Sequence, residues 1–392
     1  MFVTQDYGPH LGGMARRHVE LCRRLPTAED HVEVSTVGLE GSLQFDAGEP
    51  YRIHRQPFHF DRANRFANQI KWARSLRGSL HRVDVLHCGN IRPVGYALEM
   101  ASVGRKVPYL VYVNGGDLLR ERLKAARGLV KRTFARHFLG NAAGIVATSK
   151  WVAELSGEVM NAVGVGRMPP VGAFDLGTDP EAFSPNRDTG GLRARWNVGD
   201  APLMITVARL VPHKGQDTGI RTLARLGGEL PGLRYILVGE GHYEMRLRDL
   251  AAELGVVDRV VFAGTLDDAE LAEAYATSTV YLGLSRVDSE VNAEGFGISF
   301  VEAAASGLPV VAGDSGGVRS AVRHGETGMV VAPQDIESVA SEIRSFVLDP
   351  ARRAAFGRAG RKAVETHYNW DRVARDTRQF TLDVVGARAD GD

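Results

Sequence analysis

The chain has 392 residues, with 48 Lys and Arg against 47 Asp and Glu and a formal net charge of +1. That length suggests two or three domains of about 150 residues each. Hydrophobic residues make up 44%, enough for sizeable cores, which excludes disorder as the main state. Two cysteines, Cys22 and Cys88, are too few for a disulfide framework or a cysteine-rich metal site, and they fit a reducing cytoplasm.

The opening MFVTQDYGPH has no basic n-region followed by a long apolar run, so no signal peptide is expected. No stretch approaches about 18 consecutive apolar residues, so no transmembrane helix is expected either. Residues 1–184 hold 24 Lys and Arg against 18 Asp and Glu, with eight of the twelve histidines, whereas the remainder holds 24 against 29 and is net acidic. A basic first half suits a phosphate or an anionic lipid surface, and equally a solvated surface. No dense basic patch with interleaved aromatics points to nucleic acid.

In chain order, a very short first strand, FVT, precedes Gly12-Gly13 and a helix at 14–24. Strands are expected at 83–88, 108–113 and 144–148, with one long helix at 118–138. A second series follows: strands at 203–208, 234–238, 260–263, 279–284 and 309–312, alternating with helices at 243–254, 268–277 and 300–306. Such alternation argues for parallel sheets covered by helices on both faces, an α/β class. The run LGTDPEAFSPNRDTGG has a linker's composition. Two doubly wound domains are the simplest architecture, and a cleft between them is the default site. The expected division is 1–180, a linker at 181–200, a second domain at 201–366, and a closing helix at 367–392 that crosses back to the first domain.

Several motifs can carry chemistry. Gly12-Gly13, between strand and helix, fits either a tight turn or close backbone approach to a phosphate. Asn114 in YVNGGD ends a strand; it can donate and accept, and Asp117 can accept from a hydroxyl, while Asn-Gly alone also makes turns. The 118–138 helix carries Arg120, Lys124, Arg127 and Lys131 beside an apolar stripe, which suits either a core-packed helix or one lying on an anionic membrane. In VARLVPHKG, Arg209 and Lys214 sit in a loop at a strand's carboxyl end, where two cations suit a diphosphate.

The sharpest motif is EGFGISFVE, with Glu294 in a loop and Glu302 about one turn into a helix. The amides of Gly297, Ile298 and Ser299 can hold an anionic oxygen. Glu294 suits sugar hydroxyls, and Glu302 the two hydroxyls of a ribose. GDSGG at 313–317 matches a serine-hydrolase string, but without a positioned base it is more simply a strand-end loop. No CxxC, HExxH or EF-hand loop is present, so no metal site is expected.

Together these strings resemble the retaining group 1 glycosyltransferases of GT-B fold, typified by glycogen-synthase-like and phosphatidylinositol mannosyltransferase enzymes. VARLVPHKGQDT, ILVGEGHY, VVFAGTLDDAEL, EGFGISFVEAAASGLPVVAGDSGG and HGETGMVV follow that family's pattern in order, with Glu294 and Glu302 at its E-x7-E spacing. The resemblance implies two Rossmann-like domains facing across a cleft, acceptor chemistry on the first and a nucleotide diphosphate sugar donor mostly on the second. By the same resemblance Arg209 and Lys214 bind the diphosphate, Glu294 the donor sugar and Glu302 the ribose. Gly297, Ile298 and Ser299 then lie beside sugar and phosphate, Gly239 belongs to the donor site, and Gly13 approaches the diphosphate.

One departure concerns Asn114, which stands where the family often has a histidine. An asparagine still hydrogen-bonds a hydroxyl but cannot become cationic. The expected function is metal-independent, retaining transfer of a hexose from GDP-mannose or a UDP-sugar, without a resident cofactor. The acceptor would be a hydroxyl of a glycan, lipid or small molecule, in cell-envelope or polysaccharide synthesis, with peripheral contact to an anionic membrane. The competing readings are a GT-B nucleotide-sugar isomerase, for which no acid/base pair is evident, and a non-catalytic nucleotide-sugar-binding subunit. A Rossmann dehydrogenase lacks its G-x-G-x-x-G.

Overall fold

The computed structural model describes residues 1–9, 12–58, 65–287 and 291–389. The chain divides into two compact units, Met1–Phe174 with Trp370–Asp392, and Asp175–Asn369.

The first unit is built on seven parallel strands: β1 (Phe2–Val3), β2 (Glu33–Val37), β3 (Arg52–Gln56), β4 (Leu86–Cys88), β5 (Tyr109–Val113), β6 (Gly144–Ala147) and β7 (Val171–Ala173). Their order is β3-β2-β1-β4-β5-β6-β7. The chain winds outward from β1 to β3, then returns to the other side of β1. Right-handed crossovers then place helices on both faces and open a crevice where the order reverses, between β1 and β4. β1 is only two residues long, yet it is buried and pairs with β2 on one side and β4 on the other. Every residue of β5 and β6 is buried, which explains their unbroken apolar runs.

The helix Trp370–Ala389 belongs to this unit. It lies against the helix Gly13–Arg24, where Arg24 Nε donates to Asp371 at 2.8 Å. Val373, Ala374 and Val384 form its buried face. The single helix expected at 118–138 is instead two, Gly116–Ala126 and Leu129–Gly140. Gly128 adopts an extended conformation between them, and glycine's poor helix propensity makes that the point of rupture. The expected apolar stripe is broken with it: Phe138 is buried, whereas Val130 is 84% exposed.

The second unit holds six parallel strands: β8 (Leu203–Val207), β9 (Arg234–Val238), β10 (Val260–Gly264), β11 (Val280–Gly283), β12 (Val310–Gly313) and β13 (Gly328–Val331), in the order β10-β9-β8-β11-β12-β13. Here the reversal falls between β8 and β11. Leu223, Leu237, Leu250, Leu282, Val311 and Phe346 belong to one continuous core. Residues 181–200, expected as a linker, lie within this unit. Phe183 packs edge-on to Tyr275 at 5.7 Å, Leu192 is buried, and Arg193 donates to Thr277. The stretch holds only two short helical turns, Pro185–Arg187 and Gly191–Arg195, and is anchored by single side chains, so it shows no sustained periodicity despite being packed.

Candidate active site

The loops leaving β8 and β11 part at the reversal point of the second sheet, the position where open parallel sheets take their ligands. Arg209 and Lys214 lie in the first loop, Ser285 and Glu294 in the second. Lys214 closes a single turn, Pro212–Lys214, and Gly215 then starts the helix Gln216–Arg225. Gln216, fully buried, donates from Nε2 to the Arg209 carbonyl at 3.0 Å and so ties down the backbone of that loop. Gly239, just after β9, supports it from the side. A Cβ there would stand 2.2 Å from the Ala208 carbonyl oxygen, so only glycine lets the two strand ends meet.

The structure brings Lys214 and Glu294 together. Lys214 Nζ donates to Glu294 Oε2 at 2.6 Å, and Ser285 Oγ donates to the same oxygen at 3.1 Å. Burial pushes the Glu294 carboxyl up, but the Lys214 ammonium and the Lys214 and Ser285 hydrogen bonds outweigh it and leave the group below its ordinary value. Arg209 has an exposed side chain that makes no ion pair among the described residues. Nearby, Arg286 is neutralised by a two-pronged bond to Asp217 at 2.9 and 3.1 Å. Arg209 is therefore a cation free to meet an anion, whereas Lys214 must exchange its carboxylate for one.

Glu294 is held from its backbone as well. Gly317 N–H donates to the Glu294 carbonyl at 2.7 Å. Gly316 packs so close that a Cβ would fall 2.3 Å from that same oxygen, at a φ of +56°. The GDSGG string thus acts as a backbone clamp on Glu294 rather than as a nucleophile motif. Gly297 has φ +90° and opens the eight-residue helix Ile298–Ala305. Beside it, Tyr281 donates to Ser299 Oγ at 2.7 Å, which fixes the first turn. The amides of Gly297, Ile298 and Ser299 lie where a helix offers unpaired donors and a positive dipole end.

Glu302, expected to meet a ribose, is buried and accepts from the Tyr275 hydroxyl at 2.9 Å. Ser285, Tyr275 and Tyr281 were not anticipated. Ser285 has a signal, since it lies just past an apolar strand in the second loop of the pair. The tyrosines are indistinguishable in sequence from core residues.

In the first unit, Gly13 is the first residue of its helix and is exposed. Asn114 follows β5, and its backbone N–H donates to Asp117 Oδ1 at 3.0 Å, as does that of Leu118. Burial raises the Asp117 carboxyl above its ordinary value. Asn114 also meets a residue that the sequence did not single out, Arg17, whose Nη1 donates to Asn114 Oδ1 at 3.2 Å. Among the described residues, no three His, Cys, Asp or Glu side chains cluster as metal ligands would. No helix there is long and apolar enough to cross a membrane.

Comparison with known proteins follows this architecture. Residues 192–363 match the family model "Glycosyl transferases group 1", and residues 11–161 match "Glycosyltransferase Family 4". The chain is 28% identical to a GDP-mannose-dependent alpha-(1-6)-phosphatidylinositol monomannoside mannosyltransferase of Mycobacterium tuberculosis, over 97% of both chains. It is 35% identical to that organism's glycogen synthase over 48% of this chain and 46% of the other. In fold it is similar to an Anabaena protein solved with UDP and glucose, with a TM-score of 0.77 at 21% identity, covering 97% of this chain and 98% of that one.

Proposed function

The chain belongs to the group 1 glycosyltransferases, GT-B enzymes that use nucleotide sugars, and from that premise we propose that it moves mannose from GDP-mannose to a hydroxyl of a lipid-linked glycan, with retention and without a metal ion. The observation that carries the reading is the Lys214–Glu294 pair at the reversal point of the second sheet, with Arg209, which makes no ion pair among the described residues, in the same loop as Lys214. As the sugar–phosphate bond breaks, negative charge develops on the departing diphosphate. Arg209, Lys214 and the amides at Gly297–Ser299 are the groups to meet that charge. Lys214, in turning to the phosphate, releases the Glu294 carboxylate to orient the sugar. The acceptor oxygen attacks the anomeric carbon from the face the diphosphate leaves, and the departing phosphate takes the acceptor proton. The α-configuration is thereby kept without a protein nucleophile.

The choice of GDP-mannose rests on the mannosyltransferase likeness over almost the whole chain. A membrane-borne acceptor is supported by the junction of the helices Gly116–Ala126 and Leu129–Gly140. There Leu129 and Val130 are 81% and 84% exposed, with Arg127, Lys131 and Arg132 exposed beside them. Two apolar side chains ringed by cations suit the interface of an anionic leaflet.

The test is a release assay with GDP-mannose, UDP-glucose, UDP-N-acetylglucosamine and ADP-glucose, run with chelator and a membrane extract as acceptor source. Extract-dependent GDP release with an α-mannosylated product is expected. Release from a UDP-sugar alone would move the donor, a β-linked product would overturn retention, and no turnover of any donor would overturn the transferase reading.

A further inference from the structure

Arg17 is the most unusual charge in the first unit. It lies one turn into the helix Gly13–Arg24 with no measurable exposure, and it makes no ion pair among the described residues. Its Nη1 donates to Asn114 Oδ1 at 3.2 Å, and its Nη2 to the Val146 carbonyl at 3.3 Å. The guanidinium carbon sits 4.7 Å from the centre of the Tyr112 ring, and Nε has no partner. Burial lowers its pKa to about 10, so it remains charged near neutrality. Asp117 acts on this charge from a distance without pairing with it, and an arginine buried with no directly bonded carboxylate costs several kcal/mol relative to an apolar side chain of similar volume. The fold carries that cost next to Asn114, the residue that follows β5.

The chemistry of the contact fixes the Asn114 amide. A guanidinium has only donors, so the atom it faces must be the amide oxygen. The amide nitrogen is thereby left over, and Asn114 Nδ2 is buried without a partner. Asp117 Oδ2 is likewise buried and unpartnered, while its Oδ1 holds the Asn114 and Leu118 amides. An unused donor and an unused acceptor three residues apart are what a sugar hydroxyl, itself donor and acceptor, can satisfy.

We propose that Arg17 is a positioning residue: it locks Asn114 with its oxygen inward, so that Asn114 Nδ2 donates to, and Asp117 Oδ2 accepts from, one hydroxyl of a substrate sugar. Where a histidine would present a ring nitrogen to the substrate, this chain uses an asparagine whose orientation is set by a buried arginine. The inference rests on the glycosyltransferase reading above, and that reading is tested separately by turnover in the wild-type protein.

The experiment is a double-mutant cycle on kcat/KM with GDP-mannose and the membrane extract, with thermal stability measured for each variant. Asn114→Ala should lower kcat/KM by about 10- to 100-fold, the loss of one or two hydrogen bonds strengthened in the transition state. Arg17→Met should cause a similar fall when Asn114 is present. In the Asn114→Ala background it should change kcat/KM by less than about twofold, because its route of action is gone. Asn114→Asp keeps an oxygen facing Arg17 and gains an ion pair but loses the donor. It should stay at least as stable as wild type and still lose about tenfold or more, which separates positioning from folding. Arg17→Lys, which retains one donor, should recover part of the activity.

Two titrations identify the hydroxyl's source. A rise in the GDP-mannose KM with GDP affinity unchanged assigns it to the donor sugar, and a rise only in the acceptor KM assigns it to the acceptor. Equal losses from Arg17→Met in both backgrounds, or full activity in Asn114→Asp, would overturn the proposal. If the wild type turns over no donor, the transferase reading has failed instead.

Discussion

Replacing Lys214 by Met keeps an unbranched stem and removes one charge, which exposes both roles assigned to the residue. In the structure that charge sits 2.6 Å from Glu294 Oε2, and the two side chains are only 20% and 15% exposed. An ion pair at that depth is screened less than a surface pair, worth about 0–1 kcal/mol, and more than a fully buried one, whose rupture costs about 3–5 kcal/mol. The expected loss is therefore about 1–3 kcal/mol, in line with a hydrogen bond between charged groups. For a unit of this size that corresponds to a Tm fall of roughly 2–10 °C.

The sign of the pH dependence follows from Glu294. Its carboxyl is held below its ordinary 4.5, so its stabilisation is complete above that value and is lost as pH falls through the depressed one. Lys214→Met should flatten that acid-side loss. The decisive assay is GDP binding by calorimetry, which needs no acceptor. Lys214→Met should weaken GDP by about tenfold or more, one charge-assisted contact to a phosphate. Glu294→Gln frees Lys214 from its carboxylate and should leave GDP affinity unchanged or tighter. If Lys214→Met binds GDP as the wild type does, or if Glu294→Gln weakens GDP equally, the exchange of carboxylate for phosphate is wrong.

Gly316→Ala would place a methyl 2.3 Å from the Glu294 carbonyl oxygen at φ +56°, a backbone cost of about 1–2 kcal/mol before the clash is relieved. Donor turnover should fall by about tenfold while GDP affinity stays near wild type; equal turnover would remove the clamp. His18 and His87 are buried, and burial lowers both to about 3 from 6.5. The unfolded chain therefore takes up their protons first, and stability falls as pH drops below about 6.5. The loss at pH 5 is about 2 kcal/mol for each. Urea unfolding at pH 7 and pH 5 reads this directly, and a flat profile would mean that the folded state accommodates imidazolium. Leu129→Asp with Val130→Asp should abolish co-sedimentation with vesicles containing phosphatidylglycerol without lowering thermal stability by more than about 1 kcal/mol. Unchanged sedimentation would place membrane contact elsewhere.

The parts of this fold that were legible in the sequence are those where one residue type answers one local demand. Buried parallel strands demand unbroken apolar runs, so β5, β6, β8, β9, β11 and β12 stand out. The ends of β8 and β9 meet only because Gly239 has no side chain, a position the sequence reached through the family resemblance. β2 (EVSTV) and β3 (RIHRQ) carry polar residues along their length, and β7 (VGA) has only three residues, so none of them shows that run.

What escaped the sequence depends on a side chain's neighbours rather than on its own type. Arg16 and Arg17 are adjacent cations with nothing local to tell them apart, yet successive helical residues point about 100° apart, so only one of them can face the sheet. Which one does is decided by Tyr112, Asn114 and Val146, residues about a hundred positions away. The GDSGG string matches a serine-hydrolase string and is more simply a strand-end loop, yet nothing local says why its glycines are needed. Its glycines are required by the carbonyl of Glu294, some twenty residues earlier in the chain. In both cases the missing information lies in long-range contacts. The reading of Asn114 changes with it: alone, it is a weaker substitute for a histidine, but held by Arg17 it becomes a donor of fixed direction.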